Sequence, residues 1–172
     1  ADRLLEAIRA HAVTHFGAAP IVLQMLTEVE SDTSPFDPAI SVLTAGAPPP
    51  PSVLEKTRLM GLDVMQVYGL TETYGHISQC LWQEKWVDLS PTEQAEMQAQ
   101  QGIAFPMVEE VAVIDRSSGA SVPHDGTTQG EIAIRGNTVM SGYYKDAEAT
   151  EKSFEDGWFW SGDGAVLHEN GF

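Results

Sequence analysis

The residue types best suited to binding or catalysis lie together in one stretch, QVYGLTETYG at 66–75. Tyr68 is suited to stacking on a flat ligand, and Gly69 permits close approach of the backbone. Thr71 offers a neutral donor to a phosphate, and Glu72 offers the hard oxygen that Mg²⁺ takes beside nucleotide phosphates. The stretch therefore predicts a nucleotide pocket. A turn with a capping threonine and a solvated glutamate is the alternative interpretation of the same spacing.

A second loop of this kind is TAGAP at 44–48. It follows an apolar run, Ile40 to Thr44, just as the first stretch follows Leu62 to Val67. Ligands of open α/β sheets bind beyond the carboxyl ends of the strands. Gly46 would let the backbone approach a planar group closely. Two neighbouring strand ends that carry such loops predict one shared pocket.

The elements that must position these loops alternate along the chain. Helices are predicted over 2–11, from Pro20 to about Val29 and from Pro50 or Pro51 to about Met60, with strands within 13–19, at 40–44 and at 62–67. The polar stretch at 31–38 is predicted to be a loop. Alternating strands and helices indicate a parallel sheet with covering helices. A capping box, Ser90-Pro91-Thr92-Glu93, predicts one further helix.

The pattern changes after Pro106. The segments VEEVAVIDR, GEIAIRG and VMSGYY alternate between apolar and polar residues and are separated by turn signals, which predicts antiparallel β structure. A helix near 146–154 and a β turn flanked by Trp158 and Trp160 follow. The predicted fold class is α/β, with a parallel sheet and covering helices followed by an antiparallel, barrel-like β subdomain. The predicted boundary separates residues 1–105 from residues 106–172.

Composition narrows the classes of partner. The chain of 172 residues carries 25 acidic and 9 basic side chains, a formal net charge of −16. Such a field opposes unspecific binding to nucleic acid or anionic lipid. No apolar run reaches the roughly 20 residues of a membrane span, and no histidine pair has zinc-ligand spacing. The single cysteine, Cys80, is predicted to be a buried apolar residue, and the absence of a disulfide framework favours the cytoplasm.

Four ordered segments resemble one superfamily. YGLTET at 68–73 is similar to the signature of the adenylate-forming enzymes, which comprise acyl-CoA synthetases, luciferases and the adenylation domains of peptide synthetases. TAGAPPPPSV at 44–53, GEIAIRGNTVMSGYYKDAEAT at 130–150 and DGWFWSGDGA at 156–165 resemble its other segments in the same order. The resemblance implies that a carboxylate attacks the α-phosphate of ATP, giving an acyl-adenylate and pyrophosphate. A thiol, usually coenzyme A, then takes the acyl group.

The resemblance also implies roles for individual residues. Gly46, Ala47 and Pro48 would line the adenine pocket, while Tyr68, followed by Gly69, would stack on the base.

Thr71 would contact phosphate and Glu72 would bind Mg²⁺, so these two would act closest to the chemistry. Asp163 would hold the ribose hydroxyls, since a carboxylate can accept from two vicinal hydroxyls at once; a turn residue in SGDG is the alternative. Two positions depart from the superfamily pattern. Gly164 stands where a larger apolar residue is usual, which predicts a more mobile loop, and Trp160 replaces a more common His- or Tyr-like position.

Residues 79–102 form a long insertion after YGLTET that contains Trp82 and Trp86. Together with VTHFGAAPIVLQML and RGNTVMSGYY, this insertion resembles the short- and medium-chain acyl-CoA ligases, a group that includes 3-methylmercaptopropionate–CoA ligase. The resemblance implies a role in fatty acid metabolism. The candidates for the acyl pocket lie beside the nucleotide residues: His15, Phe16, Gly17, Tyr74 and Gly75. A small residue at position 75 would leave room for an acyl chain. The acid itself is not fixed by the sequence.

The superfamily's phosphate loop with its lysine does not occur in these 172 residues, nor does its lysine-bearing C-terminal domain. The chain is therefore interpreted as part of a large N-terminal domain, and it is expected to be inactive alone. Two alternatives stay open. One is a non-catalytic nucleotide-binding or interaction module, and the other is an amino-acid-adenylating domain that loads a carrier protein. A homodimer is also left open.

Overall fold

The computed structural model describes residues 1–29 and 34–172. The predicted loop at 31–38 thus begins outside the described residues. The helices are α1 (Asp2–Ala10), α2 (Pro20–Thr27), α3 (Pro51–Leu59), α4 (Pro91–Gln98) and α5 (Ala147–Ser153). The strands are β1 (His15–Gly17), β2 (Ile40–Thr44), β3 (Leu62–Leu70), β4 (Gly75–Gln79), β5 (Ile103–Ala104), β6 (Glu110–Asp115), β7 (Ala120–Ser121), β8 (Gly130–Arg135), β9 (Phe154–Glu155) and β10 (Trp158–Ala165).

These elements form two compact units. The first unit comprises residues 1–68 and 79–102, and the second comprises residues 69–78 and 103–172. The stretch that carries Thr71 and Glu72 thus packs with the second unit, although it follows strand β3 of the first. The predicted subdomains, 1–105 and 106–172, stay a prediction about the domain organisation of the protein.

The first unit is built on three parallel strands in the order β1, β2, β3. Along β2, alternate residues are buried, so Ile40 and Val42 face the helices while the residues between them are exposed. Leu62 and Val64 repeat this pattern on β3. Side chains from these strands and the helices make one apolar cluster: Leu5, Ile8, Leu23, Leu26, Ile40, Val42, Val53, Leu54, Leu62, Val64 and Ala95.

Three helices of the first unit begin with a proline, at Pro20, Pro51 and Pro91. The first helical position needs no hydrogen-bonded N–H group and suits the fixed φ angle of proline. At the start of α4, the predicted capping box forms: the Ser90 hydroxyl accepts from the Glu93 N–H, and the Glu93 carboxylate accepts from the Ser90 N–H. Local sequence signals therefore fix where these helices begin.

The second unit contains an antiparallel sheet with the strand order β7, β6, β8, β10, β9. Its core includes Ile114, Ala133 and Trp160, with Trp158 packed against them. Gly130 allows β8 to approach β6, because a Cβ atom at this position would lie 2.8 Å from the Ile114 carbonyl oxygen. The two units together have the predicted fold class, a parallel α/β unit and an antiparallel β unit.

Two local predictions were wrong. The segment VMSGYY at 139–144 is not a strand, because its backbone groups bond outside a ladder: the Val139 N–H donates to the Gly136 carbonyl and the Tyr143 N–H to the Thr150 hydroxyl. The β turn does not lie at the tryptophans. It is formed by Asp156 and Gly157, which both have positive φ angles and join β9 to β10.

Among residues 1–29 and 34–172, no helix has the length and apolar character needed to cross a membrane. Cys80 is buried, as predicted. Trp160 is buried and Trp158 packs against the same cluster, so both are packing residues.

Candidate nucleotide-binding site

The first unit brings the end of β2, which leads into the Gly46 loop, beside the part of β3 that leads to Tyr68. Thr44, the last residue of β2, lies opposite Gln66 of β3 in the parallel register. The loop that begins at Gly46 and the ring-bearing Tyr68 each follow two residues beyond this pair. Gly46 has a φ of 106°, and a Cβ atom there would find no heavy atom within 4 Å. Its conformation therefore requires glycine, and the space beside it is open.

The rest of this loop is exposed. Ala47 and Pro48 are both exposed, while the next residue, Pro49, is buried. The loop is thus anchored by Pro49 and presents the two preceding residues to solvent. This arrangement suits contact with a planar group, as the sequence predicts for Gly46, Ala47 and Pro48.

The buried face of the parallel sheet ends in a polar pair. Thr44 and Gln66 are 1% and 2% exposed, at positions where the preceding residues of the same face are aliphatic. The Thr44 Oγ1 and Gln66 Oε1 atoms have no hydrogen-bond partner among the described residues. A buried polar atom left without a partner costs about 1–3 kcal/mol. The apolar face of the parallel sheet therefore encloses two polar atoms that have no hydrogen-bond partner within the described residues.

Strand β1 carries the first three candidates for the acyl pocket. Its residues pair with β2 from His15 opposite Ser41 to Gly17 opposite Leu43. Phe16 packs against the apolar cluster of the first unit, whereas His15 and Gly17 point to the other, exposed side. The His15 ring lies 3.0 Å from the Thr14 hydroxyl. Of these three candidates, only His15 and Gly17 are thus available on an open face.

In the second unit, Thr71–Thr73 forms a single 3-10 turn. Thr73 is buried, and its hydroxyl accepts from the Leu70 N–H at 3.0 Å and lies 2.8 Å from the Gly75 carbonyl oxygen. The buried hydroxyl closes the turn on itself and leaves Thr71 exposed. The turn also requires glycine at position 69, because a Cβ atom there would lie 2.1 Å from the Gly75 carbonyl oxygen.

The other two acyl candidates follow this turn. Tyr74 has a φ of 59°, an uncommon conformation for a residue other than glycine, and it is 91% exposed. Gly75 has a φ of 118°, and a Cβ atom there would find no heavy atom within 4 Å. The space beside Gly75 is therefore open, and the acyl-pocket role of Gly75 stays a prediction.

Glu72 is held at both its side chain and its backbone. The Tyr143 hydroxyl donates to Glu72 Oε1 at 3.0 Å, and the Met140 N–H donates to the Glu72 carbonyl at 2.7 Å. Partial burial, then the hydrogen bond to Glu72 and its negative charge, raise the pKa of the Tyr143 hydroxyl. The hydroxyl therefore stays protonated at neutral pH and acts as a donor.

Asp163 is presented by a bulge in β10. The register passes from Trp160 opposite Ala133 to Gly164 opposite Glu131, so three residues of β10 face one residue of β8. The Asp163 N–H donates to the Ser161 hydroxyl at 3.1 Å. Bulges commonly redirect a side chain at the edge of a functional site, and Asp163 is exposed here.

The bulge is supported from β8. The Glu131 carboxylate accepts from the Gly162 N–H at 3.0 Å and from Arg116 at 3.2 Å. The Ser161 hydroxyl donates to the Ile132 carbonyl at 2.8 Å. Hydrogen bonds to strand β8 therefore hold the bulge that leaves Asp163 exposed.

The residues around Glu72 suit a magnesium ion shared with a ligand. No group of three or more His, Cys, Asp or Glu side chains among residues 1–29 and 34–172 is placed to hold a metal ion alone. Mg²⁺ in nucleotide sites is commonly bound by one or two carboxylates, waters and phosphate oxygens. Glu72 Oε1 accepts from Tyr143, while its second carboxylate oxygen has no hydrogen bond within the described parts of the chain.

The sequence prediction missed Thr44, Gln66 and Tyr143. A signal for the first two was present, because each puts a polar side chain on the face where the alternation of its strand requires an apolar one. Tyr143 carried no such signal. Its contact with Glu72 joins residues 71 positions apart, and periodicity does not report contacts at that range.

Comparison with known proteins places the chain in a family. The AMP-binding enzyme family matches residues 1–144, and the chain belongs to it. The chain is 45% identical over 174 aligned residues to an acetate–CoA ligase of Humulus lupulus, covering 100% of this chain and 31% of that protein. It is 43% identical over 174 aligned residues to a peroxisomal acetate/butyrate–CoA ligase of Arabidopsis thaliana, with the same two coverages.

A solved structure shows the same fold. The O-succinylbenzoate coenzyme A synthetase of Bacillus subtilis, in complex with ATP and magnesium ion, matches with a TM-score of 0.77 and 29% identity. The match covers 99% of this chain and 33% of that chain. The chain thus spans about a third of the length of the proteins it resembles.

Proposed function

We propose that the protein to which this chain belongs is an ATP-dependent acid–thiol ligase that forms AMP. In the first step, a carboxylate oxygen of the acid bonds to the α-phosphorus of ATP and pyrophosphate leaves. In the second step, the sulfur of coenzyme A bonds to the acyl carbon and AMP leaves. The observation that carries the proposal is the register of Thr44 opposite Gln66, from which the Gly46 loop and, along β3, Tyr68 each follow at a distance of two residues.

The adenine base is proposed to lie between the Gly46 loop and Tyr68. Tyr68 stacks on it, a contact worth about 0.5–1.5 kcal/mol beyond area burial, and the exposed Gly46, Ala47 and Pro48 contact its other face.

The phosphates and the ribose are assigned to residues of the second unit. Thr71 donates to a phosphate oxygen, and Glu72 is the protein ligand of Mg²⁺, which neutralises phosphate charge when bound. Asp163, raised by the bulge, accepts from the ribose hydroxyls. This division agrees with the residue types, because a chain with a net charge of −16 needs a metal ion and neutral donors to hold a polyphosphate.

The acid is proposed to be short. The names of the Humulus lupulus and Arabidopsis thaliana relatives give acetate, or acetate and butyrate, as their acids. The open space at Gly75 leaves room for an acyl chain beside Tyr74. His15 and Gly17 on the exposed side of β1 are the further candidates, and Phe16 supports them from the core. 3-Methylmercaptopropionate, a short thioether acid, stays within this class. Cytoplasmic location and a homodimer stay predictions, and one relative is peroxisomal.

A substrate panel tests the proposal. The complete protein is incubated with ATP, Mg²⁺ and coenzyme A together with acetate, butyrate, 2-methylpropanoate, 3-methylmercaptopropionate or an amino acid, and AMP and the thioester are measured. We expect AMP and an acyl-CoA product with at least one short acid. Release of AMP only with an amino acid would favour carrier-protein loading, and nucleotide binding without turnover would favour a non-catalytic module.

Asp163→Ala tests the ribose assignment in the same assay. The KM for ATP should rise about 10-fold or more, because a charged hydrogen bond contributes about 1.5–3 kcal/mol. Asp88→Ala, at another exposed carboxylate, is the matched control and should leave the KM unchanged. An unchanged KM for ATP in Asp163→Ala would refute the assignment.

A further inference from the structure

The hydrogen bond from Tyr143 to Glu72 has a role beyond joining two segments of the second unit. We propose that Tyr143 is a positioning residue that orients the Glu72 carboxylate for Mg²⁺, and that the segment from Met140 to Thr150 is the support that holds it. The inference rests on the proposed function, because it assigns a partner to the metal-binding carboxylate of that same site.

The first observation is that two contacts from one short segment reach one residue. The Tyr143 hydroxyl donates to Glu72 Oε1 at 3.0 Å, and the Met140 N–H donates to the Glu72 carbonyl at 2.7 Å. The backbone hydrogen bond from Met140 holds the 3-10 turn. The hydrogen bond from the Tyr143 hydroxyl restricts rotation of the Glu72 carboxylate group. Partners that hydrogen-bond a metal-binding carboxylate orient it and raise metal affinity.

The second observation is that Tyr143 is itself anchored. Its N–H donates to the Thr150 hydroxyl at 2.9 Å, and that hydroxyl lies 2.8 Å from the Asp146 carbonyl oxygen. Asp146 caps helix α5 by accepting from the Ala149 N–H at 3.0 Å. The first turn of α5 therefore holds the backbone from which the Tyr143 ring extends.

The third observation concerns the residue before Tyr143. Gly142 has a φ of 147°, and a Cβ atom there would lie 2.8 Å from Thr150 Cγ2 and 2.9 Å from Thr150 Oγ1. No other residue type fits this position without moving Thr150. Glycine is thus needed for the close approach that lets the Thr150 hydroxyl reach the Tyr143 backbone.

The chemistry of a phenol suits this task. A neutral donor takes one lone-pair direction of Oε1 and leaves the full negative charge of Glu72 for a cation. A lysine or arginine in the same place would neutralise that charge and compete with the metal ion. The second oxygen of Glu72 makes no hydrogen bond within the described residues, so it would be the oxygen left to hold a metal ion.

The test is Tyr143→Phe in the complete protein, read by calorimetric titration with a non-hydrolysable ATP analogue at a series of Mg²⁺ concentrations. The ring stays and only the hydroxyl is lost. We expect the Mg²⁺ concentration for half-maximal nucleotide binding to rise about 10-fold, with nucleotide affinity at saturating Mg²⁺ and the KM for the acid unchanged. A purely structural role would instead lower the unfolding temperature without this shift.

Four further variants complete the design. Tyr144→Phe is the matched control, because Tyr144 is 88% exposed and faces Lys145 rather than Glu72. Thr150→Val removes the anchor of the Tyr143 backbone and should shift the Mg²⁺ dependence in the same direction, whereas Thr150→Ser should restore it. In a Glu72→Gln background, Tyr143→Phe should add less than 2-fold, since its effect passes through Glu72.

The outcomes separate the two proposals. A wild-type protein whose nucleotide binding does not respond to Mg²⁺ would overturn the proposed function and this inference with it. Normal Mg²⁺-dependent binding in the wild type, with Tyr143→Phe matching Tyr144→Phe, would overturn this inference alone. A full effect of Tyr143→Phe in the Glu72→Gln background would also overturn it.

Discussion

At the scale of single residues, Gly69 and Gly164 differ in whether the structure leaves room for a side chain. A Cβ atom at Gly69 would lie 2.1 Å from the Gly75 carbonyl oxygen and 2.4 Å from His76 Cα, so the backbone itself excludes a side chain. A Cβ atom at Gly164 would meet only the Gly130 carbonyl oxygen, at 3.9 Å, which is an ordinary contact. The first glycine is required by space, and the second is not.

This contrast gives a stability prediction. Gly164→Ala should stabilise the complete protein by about 0.4–1 kcal/mol, because alanine restricts the unfolded chain and fits the native backbone. Gly69→Ala should destabilise it by about 1–3 kcal/mol, the range for forcing extra atoms into filled space. Denaturant unfolding of the two variants beside the wild type measures both. Destabilisation by Gly164→Ala would contradict the view that this position only lacks a side chain.

Cys80 gives a prediction about reactivity and pH. Burial raises the pKa of its thiol from an ordinary value of 9.0 to about 11. A thiol-specific disulfide reagent at pH 8 should therefore label the native protein slowly and the denatured protein at once, with Cys80→Ala as the unlabelled control. Between pH 9 and about 11 the unfolded chain loses this proton first, so stability should fall as the pH rises through that window. Rapid native labelling would contradict the burial.

The residues that the sequence prediction found and missed differ in one physical respect. Tyr68, Gly69, Thr71 and Glu72 lie within a few positions of each other, so their chemistry can be recognised locally. Gln66 lies two residues before Tyr68, but the sequence prediction missed it because its burial depends on which face of β3 packs against the core. A buried polar side chain becomes informative only once its burial is known.

At the scale of elements, predictions succeeded where a strand or helix has its own start and stop signals. Strand β2 was predicted with its observed bounds, because an alternating apolar run meets a proline-rich loop. The strand prediction at 139–144 is wrong because an alternating pattern alone does not specify a strand. In the structure, Gly142 has a φ of 147° and the Tyr143 N–H donates to the Thr150 hydroxyl, so this segment forms no ladder. Tertiary contacts overrode the local pattern.

The bulge in β10 carries a prediction for Glu131. Its carboxylate accepts from the Gly162 N–H and pairs with Arg116, so Glu131→Ala should loosen the bulge that presents Asp163. We expect the KM for ATP to rise about 3- to 10-fold, or about 0.7–1.4 kcal/mol, with kcat unchanged. Steady-state kinetics on the complete protein provides the measurement.

The matched control for Glu131 is Glu110→Ala. Glu110 pairs with Arg135 at 3.7 Å on an exposed surface, and such pairs contribute about 0–1 kcal/mol. The control should leave the KM for ATP at its wild-type value. Equal effects of the two variants would show that a general loss of negative charge, and not the bulge, changes ATP binding.

At the scale of the whole molecule, the chain spans about a third of its relatives, and its sequence lacks the lysine-bearing phosphate loop of the superfamily. The 172-residue chain alone is therefore expected to show no acid-dependent exchange of pyrophosphate into ATP, while the complete protein shows it. Circular dichroism of the same sample checks that the chain is folded. Exchange by the chain at a rate comparable to the complete protein would contradict the expectation.

The chain crosses between its two compact units three times, after residues 68, 78 and 102. A single proteolytic nick after residue 102 would consequently not release the second unit, because ten of its residues, 69–78, stay on the N-terminal piece. Among them, the Glu72 carbonyl is the partner of the Met140 N–H on the other piece. Residues 1–102 and 103–172, expressed as two separate polypeptides, are therefore expected to associate. Residues 69–78 of the first polypeptide would complete the second unit.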